Sequence, residues 1–321
     1  MKRAEIIAQL KTLIIPGIIA GVMLIAVCVI LLVWNSLKAG QPEQFAATRY
    51  GGGDITQVSA YFAAGTGLTY DQLRTTERTL GADDQTVVQS WSLSSQSLEA
   101  APNEAVAKNT VKLDATAVGG EYFLFHPFPL KSGAYIQPDD LMRDRIVINK
   151  QAAWLLYGSN NIKGKHVTIR ESLYIISGVV DDGNANACAY VPYEMLPADT
   201  KFPVYEAVLT NKFTGYALTA LKAVTGFGGA ALVENTSRFA IPQVWNVLLT
   251  FNDRVQQTNA ISYPYWENRA RVVENKLALL LLFGGLLLIW PIILIFMVVI
   301  KVINLIVNTI EISAAKAYRG Y

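Results

Sequence analysis

The stretch from Leu156 to Val180, LYGSNNIKGKHVTIRESLYIISGVV, holds the residue types that grip a phosphate: Gly158, then Gly164 and Lys165 after a polar run. In a phosphate-binding loop four residues separate the first glycine from the Gly–Lys pair. A Ser or Thr follows to meet magnesium, and a helix begins there. The helix matters because its free N–H groups and positive end hold the anion. Here the run from Ser159 to Lys163 is one residue too long, and His166 stands in the hydroxyl position. The pattern is also inverted, with helical residues before the loop and a strand after it. A glycine helix cap at Gly158, a surface turn SNNIKG and a hairpin starting at KHVTI explain the residues better.

Other candidates for chemistry also fail on spacing. DDGNAN, Asp181 to Asn186, is oxygen-rich like a calcium loop, but Pro192 occupies the twelfth position, where a bidentate Glu is needed. It reads as a turn between strands. His126 and His166 are the only histidines, far apart and without Cys companions, which argues against a metal site. His126, between Phe125 and Pro127, is expected to be a packed loop residue. No Gly-x-Ser-x-Gly nucleophile motif occurs. Asn235, in NTS, would accept a glycan only in a eukaryotic secretory pathway. The expectation is a protein that is not an enzyme, with no catalytic, metal-binding or cofactor-binding residues and no cofactor. A net charge of +2 without a basic run gives no nucleic-acid surface either.

Composition points elsewhere. The chain is 52% hydrophobic and 16% charged, with a mean hydropathy of +0.30, which is apolar for a soluble protein. Two charge-free runs, Leu13–Trp34 and Leu277–Ile300, are each long enough to cross a hydrocarbon core as a helix. Pro16 and Pro291 do not veto this, since membrane helices tolerate proline. The first run exceeds a signal-peptide core and lacks a small-residue cleavage site after Trp34, so it is expected to remain as an anchor. Lys2, Arg3 and Lys11 precede the first run, and Lys301, Lys316 and Arg319 follow the second. The positive-inside rule then puts both termini in the cytoplasm, against the counter-signal of Arg269, Arg271 and Lys276. The expected organisation is a cytoplasmic N-terminus (1–12), a first transmembrane helix (13–34), an extracytoplasmic domain (35–276), a second transmembrane helix (277–300) and a cytoplasmic tail (301–321). Cys28 falls in the first span and Cys188 in the domain, so the domain has no internal disulfide, which suits a bacterial protein of a reducing niche.

Within the domain, NSLKAGQPEQFAATRYGGGD reads as a polar linker. ITQVSAYFA is a strand, and TYDQLRTTERTL is a helix with Thr69 as N-cap, Asp71 in the first turn and Gly81 as stop. QTVVQSWSLSS is a second strand. EYFLFHPFPL, broken by Pro127 and Pro129, is expected as a packed loop rather than a central strand. DRIVINKQAAWLLYG is a strand running into a helix closed by Gly158. KHVTIR and SLYIISGVV form a hairpin joined at Arg170–Glu171, and CAYVPYEML and YEAVLT are extended. TGYALTALKAV and FAIPQVWNVLLTFNDRVQQ are helical, with Pro242 near the start of its helix. The aromatic segment YPYWENRARVVEN, Tyr263 to Asn275, suits the headgroup region. The fold class is α+β (mixed α/β), an extracytoplasmic domain flanked by two transmembrane helices.

The order Val147–Asn149, Ala152–Gly158, Gly164–Lys165, Ile175–Val180 and then AYVPYEML (Ala189–Leu196) resembles the signature of the MacB-like periplasmic core domain. That domain belongs to permease subunits of MacB/FtsX-type ABC transporters. QVSAYFAAGTGLTYDQL is similar to the family's first domain strand and helix, and the aromatic segments near Glu121 and Tyr263 resemble a Firmicute two-span variant. The resemblance implies a membrane-anchored permease-like component that transmits conformational change between a cytoplasmic ABC ATPase and the outer domain. Such permeases usually carry four spans, and two are found here. The resemblance therefore implies a second permease subunit, self-association, or a role other than transport. Lys301–Tyr321 could form an amphipathic helix that touches the ATPase or the bilayer, or simply continue the span. The alternative function is a membrane-anchored binding or sensor module without transport activity.

Overall fold

In the computed structural model of the chain, residues 3–319 are described except 52, 83–87, 96–97, 101–110, 139, 141, 170–171, 211–214, 225 and 251–260. They fall into two compact units. One comprises residues 1–40, 240–251 and 272–321, and the other residues 41–239 and 252–271.

The second unit is built on an eleven-stranded sheet. Its strands are β1 (Ile55–Tyr61), β2 (Val88–Ser94), β3 (Leu98–Ala100), β4 (Leu113–Gly120), β5 (Leu130–Gly133), β6 (Arg145–Asn149), β7 (His166–Ile169), β8 (Ser172–Val180), β9 (Cys188–Pro192), β10 (Val204–Thr210) and β11 (Ala231–Glu234). The order is β11-β1-β10-β2-β4-β9-β6-β8-β5, with β3 beside β4 and β7 beside β8. Most pairs are antiparallel, while β4–β9 and β6–β8 are parallel. The mixture of hairpins with two parallel crossovers is the α+β class expected from the sequence.

Alternation along the strands gives the sheet two different faces. Val58, Ala60, Ile146, Ile148, Tyr205, Ala207 and Leu209 join one apolar cluster with Leu73 of α3 (Tyr70–Ala82), Ala152, Ala153 and Leu156 of α5 (Lys150–Tyr157), and Ala217 and Leu221 of α6 (Tyr216–Ala223). The intervening residues of β1 and β10 include Gln57, Ser59, Tyr61 and Glu206, all essentially fully buried. A buried polar face is unusual, and each of its groups needs a partner.

The expected turns and caps are in place. Asn149 caps α5 by accepting from the Ala152 N–H, and Gly158 closes it at φ 66°, in the left-handed region that favours glycine. Thr69 Oγ1 accepts from the Gln72 N–H while Gln72 Oε1 accepts from the Thr69 N–H, a reciprocal capping box. β7 and β8 form the expected hairpin.

Four expectations need correction. The segment from Asn35 to Asp54 is not a plain linker. The first helix, α1 (Arg3–Ala39), continues past Trp34, a 3-10 turn follows at Pro42–Phe45, and α2 (Ala46–Tyr50) completes a segment whose Gln41, Glu43, Gln44, Ala46 and Ala47 are buried. α3 passes through Gly81 to Ala82. Tyr193–Met195 turns as a 3-10 helix instead of extending the strand. EYFLFHPFPL is a short helix, α4 (Tyr122–Phe125), leading into edge strand β5. β3, β4 and β11 lay outside the expected elements.

The first unit holds α1, α7 (Ile241–Leu249) and most of α8 (Tyr265–Arg319). α1 and α8 are each long and apolar enough to cross a membrane. Their outward Ile, Leu, Val and Phe side chains are largely exposed, as lipid-facing residues would be. Gly284 lets the two helices approach: a Cβ there would sit 3.6 Å from Ile30 Cγ2. At 1.5 Å per residue, the 55 residues of α8 extend about 80 Å, well beyond a bilayer core of about 30 Å. The helix therefore runs unbroken past Lys301 to Arg319. The helical reading of residues 251–257 lies outside the described residues.

Candidate functional site

The buried polar face of the sheet is where the segment after α1 and the first turns of α8 meet, all within the second unit. Glu267, two residues into α8, is fully buried. Arg238 Nη1 and Nη2 donate to its two carboxylate oxygens at 2.6 and 2.9 Å, the bidentate geometry that suits a desolvated pair. Arg271 Nε adds a third bond at 2.7 Å, and the Tyr61 hydroxyl of β1 a fourth at 3.3 Å. The Arg271 guanidinium lies over the Tyr263 ring, 3.7 Å from its centroid, so its second face is also occupied.

A second clamp joins the same helix to the chain just after α1. Arg269 Nη2 donates to Glu43 Oε2 at 2.6 Å, and its Nε to Gln41 Oε1 at 3.1 Å. Arg238 Nη1 also reaches Gln44 Oε1 at 3.3 Å. The 41–50 segment is fixed to the sheet by Gln57 of β1, whose amide accepts from the Ala46 N–H and donates to the Glu43 carbonyl, both at 2.7 Å. Arg49 donates to the carbonyls of Pro42, Leu124 and Phe125, closing the segment on α4. These bonds connect residues roughly two hundred positions apart into one polar junction.

Beside it, His126 Nε2 and Glu206 Oε2 stand 2.7 Å apart, both buried. Glu206 Oε1 accepts from Ser59 Oγ, which accepts in turn from Asn235 Nδ2. His126 is thus packed, as expected, and also hydrogen-bonded to a carboxylate, which the sequence did not foretell. Its ring packs edge-on against Trp266 of α8, with centroids 4.4 Å apart. Tyr263–Arg271 therefore serves as a docking segment for the domain rather than only as an interfacial anchor.

The signature region carries a different hub. The Asn149 side chain accepts from the N–H groups of Ala152 and Cys188 and donates to Asp182 and to the Asn186 carbonyl. DDGNAN is a turn stapled by its own side chains: Asn184 N–H to Asp182, Asn186 N–H to Asn184. Asp181 points outward to Lys131 and Lys150. The Lys150 hydrogen bond, then that of Lys131, hold its carboxyl below the usual range. Burial, with Asp182 and Asp114 nearby, pushes the Cys188 thiol up to about 12. Among the described residues no group of three or more His, Cys, Asp or Glu could hold a metal. Gly158, Gly164 and Lys165 sit around the α5–β7 turn, with Gly164 N–H bonded to the Ile176 carbonyl rather than turned toward an anion.

The unit also contains a cavity of about 720 Å³. Tyr122, Phe128, Tyr190 and Trp266 contribute aromatic wall, and Asp114 and Asp182 contribute carboxylates. Its volume lies in the range of small-molecule sites.

The family model described as MacB-like periplasmic core domain matches residues 12–225. Among solved structures, the periplasmic region of MacB from Actinobacillus actinomycetemcomitans is similar at 15% identity and TM-score 0.44, covering 66% of this chain and 96% of that one. The extracellular domain of the noncanonic ABC-type transporter YknZ from Gram-positive bacteria is similar at 13% identity and TM-score 0.42, covering 56% and 98%. A domain of a permease-type protein from Porphyromonas gingivalis is similar at 14% identity and TM-score 0.34, covering 56% and 87%. No curated protein matches the chain.

Proposed function

Because this chain belongs to the MacB-like periplasmic core domain family, we propose that it is a membrane-anchored, permease-like component of a MacB/FtsX-type ABC transporter. In this reading α1 and α8 cross the membrane at 13–34 and 277–300, both termini are cytoplasmic, and residues 35–276 form the extracytoplasmic domain. The partner is a separate ABC ATPase, completed by a second permease subunit or a second copy of the chain. ATPase closure would move the helices, and the outer domain would respond.

The observation that carries this reading is the Arg238–Glu267 pair. A helix can transmit displacement to a domain only if its end is held in fixed geometry. Two parallel charge-assisted hydrogen bonds in a water-excluded site fix both distance and rotation. The Arg269–Glu43 clamp ties the first turns of the same helix to the segment that follows α1 in the chain.

Affinity capture of the full chain from its native membrane, compared with a chain truncated after Lys301, tests the assignment. Recovery of an ABC ATPase with the full chain, and its loss on truncation, is the expected result. Recovery of neither ATPase nor permease with either chain overturns it. The aromatic and acidic cavity favours a second reading, a membrane-anchored binding or sensor module, which that outcome would support.

A further inference from the structure

α7 reads IPQVWNVLL, and no charged side chain lies between Arg238 and Asp253. It buries Val244 and Val247 and leaves Ile241, Trp245 and Leu249 exposed at 62, 48 and 68%. Those three recur every fourth position and so share one side of the helix. On a surface helix in water that side should be polar. Here three of the outward residues are large and apolar, with Asn246 the exposed polar side chain beside them, and only the opposite side is covered by protein.

α7 belongs to the same compact unit as α1 and residues 272–319 of α8, the helices apolar enough to cross a membrane. Its nine residues rise about 13 Å, less than half of a hydrocarbon core of about 30 Å, so it cannot be a third span. Pro242, in its first turn, presets the helical backbone there. Three exposed side chains are also far too few for a stable protein–protein face, which takes about 800 Å² per partner. The covering that fits is lipid, the medium that also suits the exposed apolar side chains of the two long helices in that unit. Trp245 is the side chain best suited to a headgroup boundary, with an apolar ring and a hydrogen-bonding edge.

We propose that α7 lies in the plane of the extracytoplasmic membrane interface, with Ile241, Trp245 and Leu249 set into the boundary between headgroups and acyl chains. It is a third membrane contact beside the two spans. The inference rests on the membrane placement of α1 and α8.

The test uses the full chain in phosphatidylcholine vesicles, with Cys28→Ala and Cys188→Ala and one spin-labelled cysteine at a time replacing Ile241, Trp245 or Leu249. Ile18, exposed on α1, serves as the lipid reference, and Asp199, on the domain surface, as the aqueous one. Collision with oxygen relative to a water-soluble nickel chelate should be severalfold higher at all three α7 positions than at Asp199. A ratio equal to that of Asp199, with Ile18 still oxygen-rich, overturns the inference alone. Loss of the oxygen preference at Ile18 as well overturns the membrane placement with it. Dipolar broadening between labels on Trp245→Cys chains would replace lipid with a second copy and also overturn it. Bromolipid quenching of the unlabelled chain, reduced in Trp245→Phe, gives the same reading without a label. Equal quenching in both chains overturns it.

Discussion

Asn149 and Glu267 are both fully buried polar side chains that gather several hydrogen bonds in one unit. Asn149 is neutral, and its partners lie within forty residues, from Ala152 to Cys188. Glu267 is charged, and its network reaches Tyr61 and Arg238, with Gln44 bound through Arg238. The first hub fixes a local strand–helix–hairpin packing. The second joins distant stretches of chain around the first turns of α8. A neutral hub stabilises wherever it is satisfied. A buried charge is tolerated only while its partner stays, so the junction is sensitive to displacement.

The largest effect should therefore come at the junction. Glu267→Gln leaves the Arg238 guanidinium buried without its counter-charge, and breaking such a pair costs about 3–5 kcal/mol. The fluorescence-detected melting temperature of the domain in detergent should fall sharply. Arg238→Met combined with Glu267→Leu should recover much of the loss, since replacing a whole buried pair by apolar residues is often nearly neutral. A single substitution costing no more than a surface change would mean that the junction is wet, and the contrast with Asn149 would disappear.

Asn149→Ala comes next. It removes a helix N-cap, worth about 1 kcal/mol, and orphans the buried Cys188 N–H, worth about 1–3 kcal/mol. Chemical denaturation should place it below Glu267→Gln. A larger loss than at Glu267 would reverse the proposed ranking of the two hubs.

Cys188 probes the same contrast through acidity. With its thiol at about 12 against an ordinary value near 9, almost none is thiolate at pH 8, so iodoacetamide should leave it unmodified in the native chain and label it in urea. The linkage sign follows: the native state holds the proton more tightly. This contribution is complete below pH 9 and is lost as pH rises from 9 toward 12. Fast native alkylation would mean that the pocket around Cys188 admits water, against the packing of the signature region.

The two regions also differ in how far the sequence disclosed them. The signature was legible because its punctuation is local. Asn149 precedes the helix it caps, Gly158 follows it, and the hairpin alternates in period two. The junction was not. Gln41, Glu43 and Gln44 look like linker residues, since their side chains are answered by Arg238 and Arg269, as far as 228 positions away. β4, LDATAVGG, is too small and glycine-rich to announce a strand, yet Gly120 must be glycine. A Cβ there would lie 2.2 Å from the Trp91 carbonyl oxygen, and its φ is positive. His126 was read as packed, but its carboxylate partner sits on β10, eighty residues on.

The smallest effect should come from the charges that are most visible. Asp181 meets Lys150 at 2.7 Å and Lys131 at 3.2 Å, distances as short as those of the junction. Yet Lys150 and Lys131 are 38 and 41% exposed, so water already solvates both partners and salt screens them. Exposed pairs contribute about 0–1 kcal/mol, and Asp181 keeps its second lysine when one is removed. Lys150→Ala should therefore shift the melting temperature by about a degree or less, and added salt should abolish the difference. What contribution exists comes from a depressed carboxyl, so it is present at neutral pH and lost as pH falls through the acid range. Equal length and opposite consequence at Asp181 and Glu267 would make water exclusion, rather than the ion pair itself, the property that lets one cluster hold a helix and leaves the other a surface ornament. A salt-resistant loss at Lys150 as large as that at Glu267 would refute that distinction.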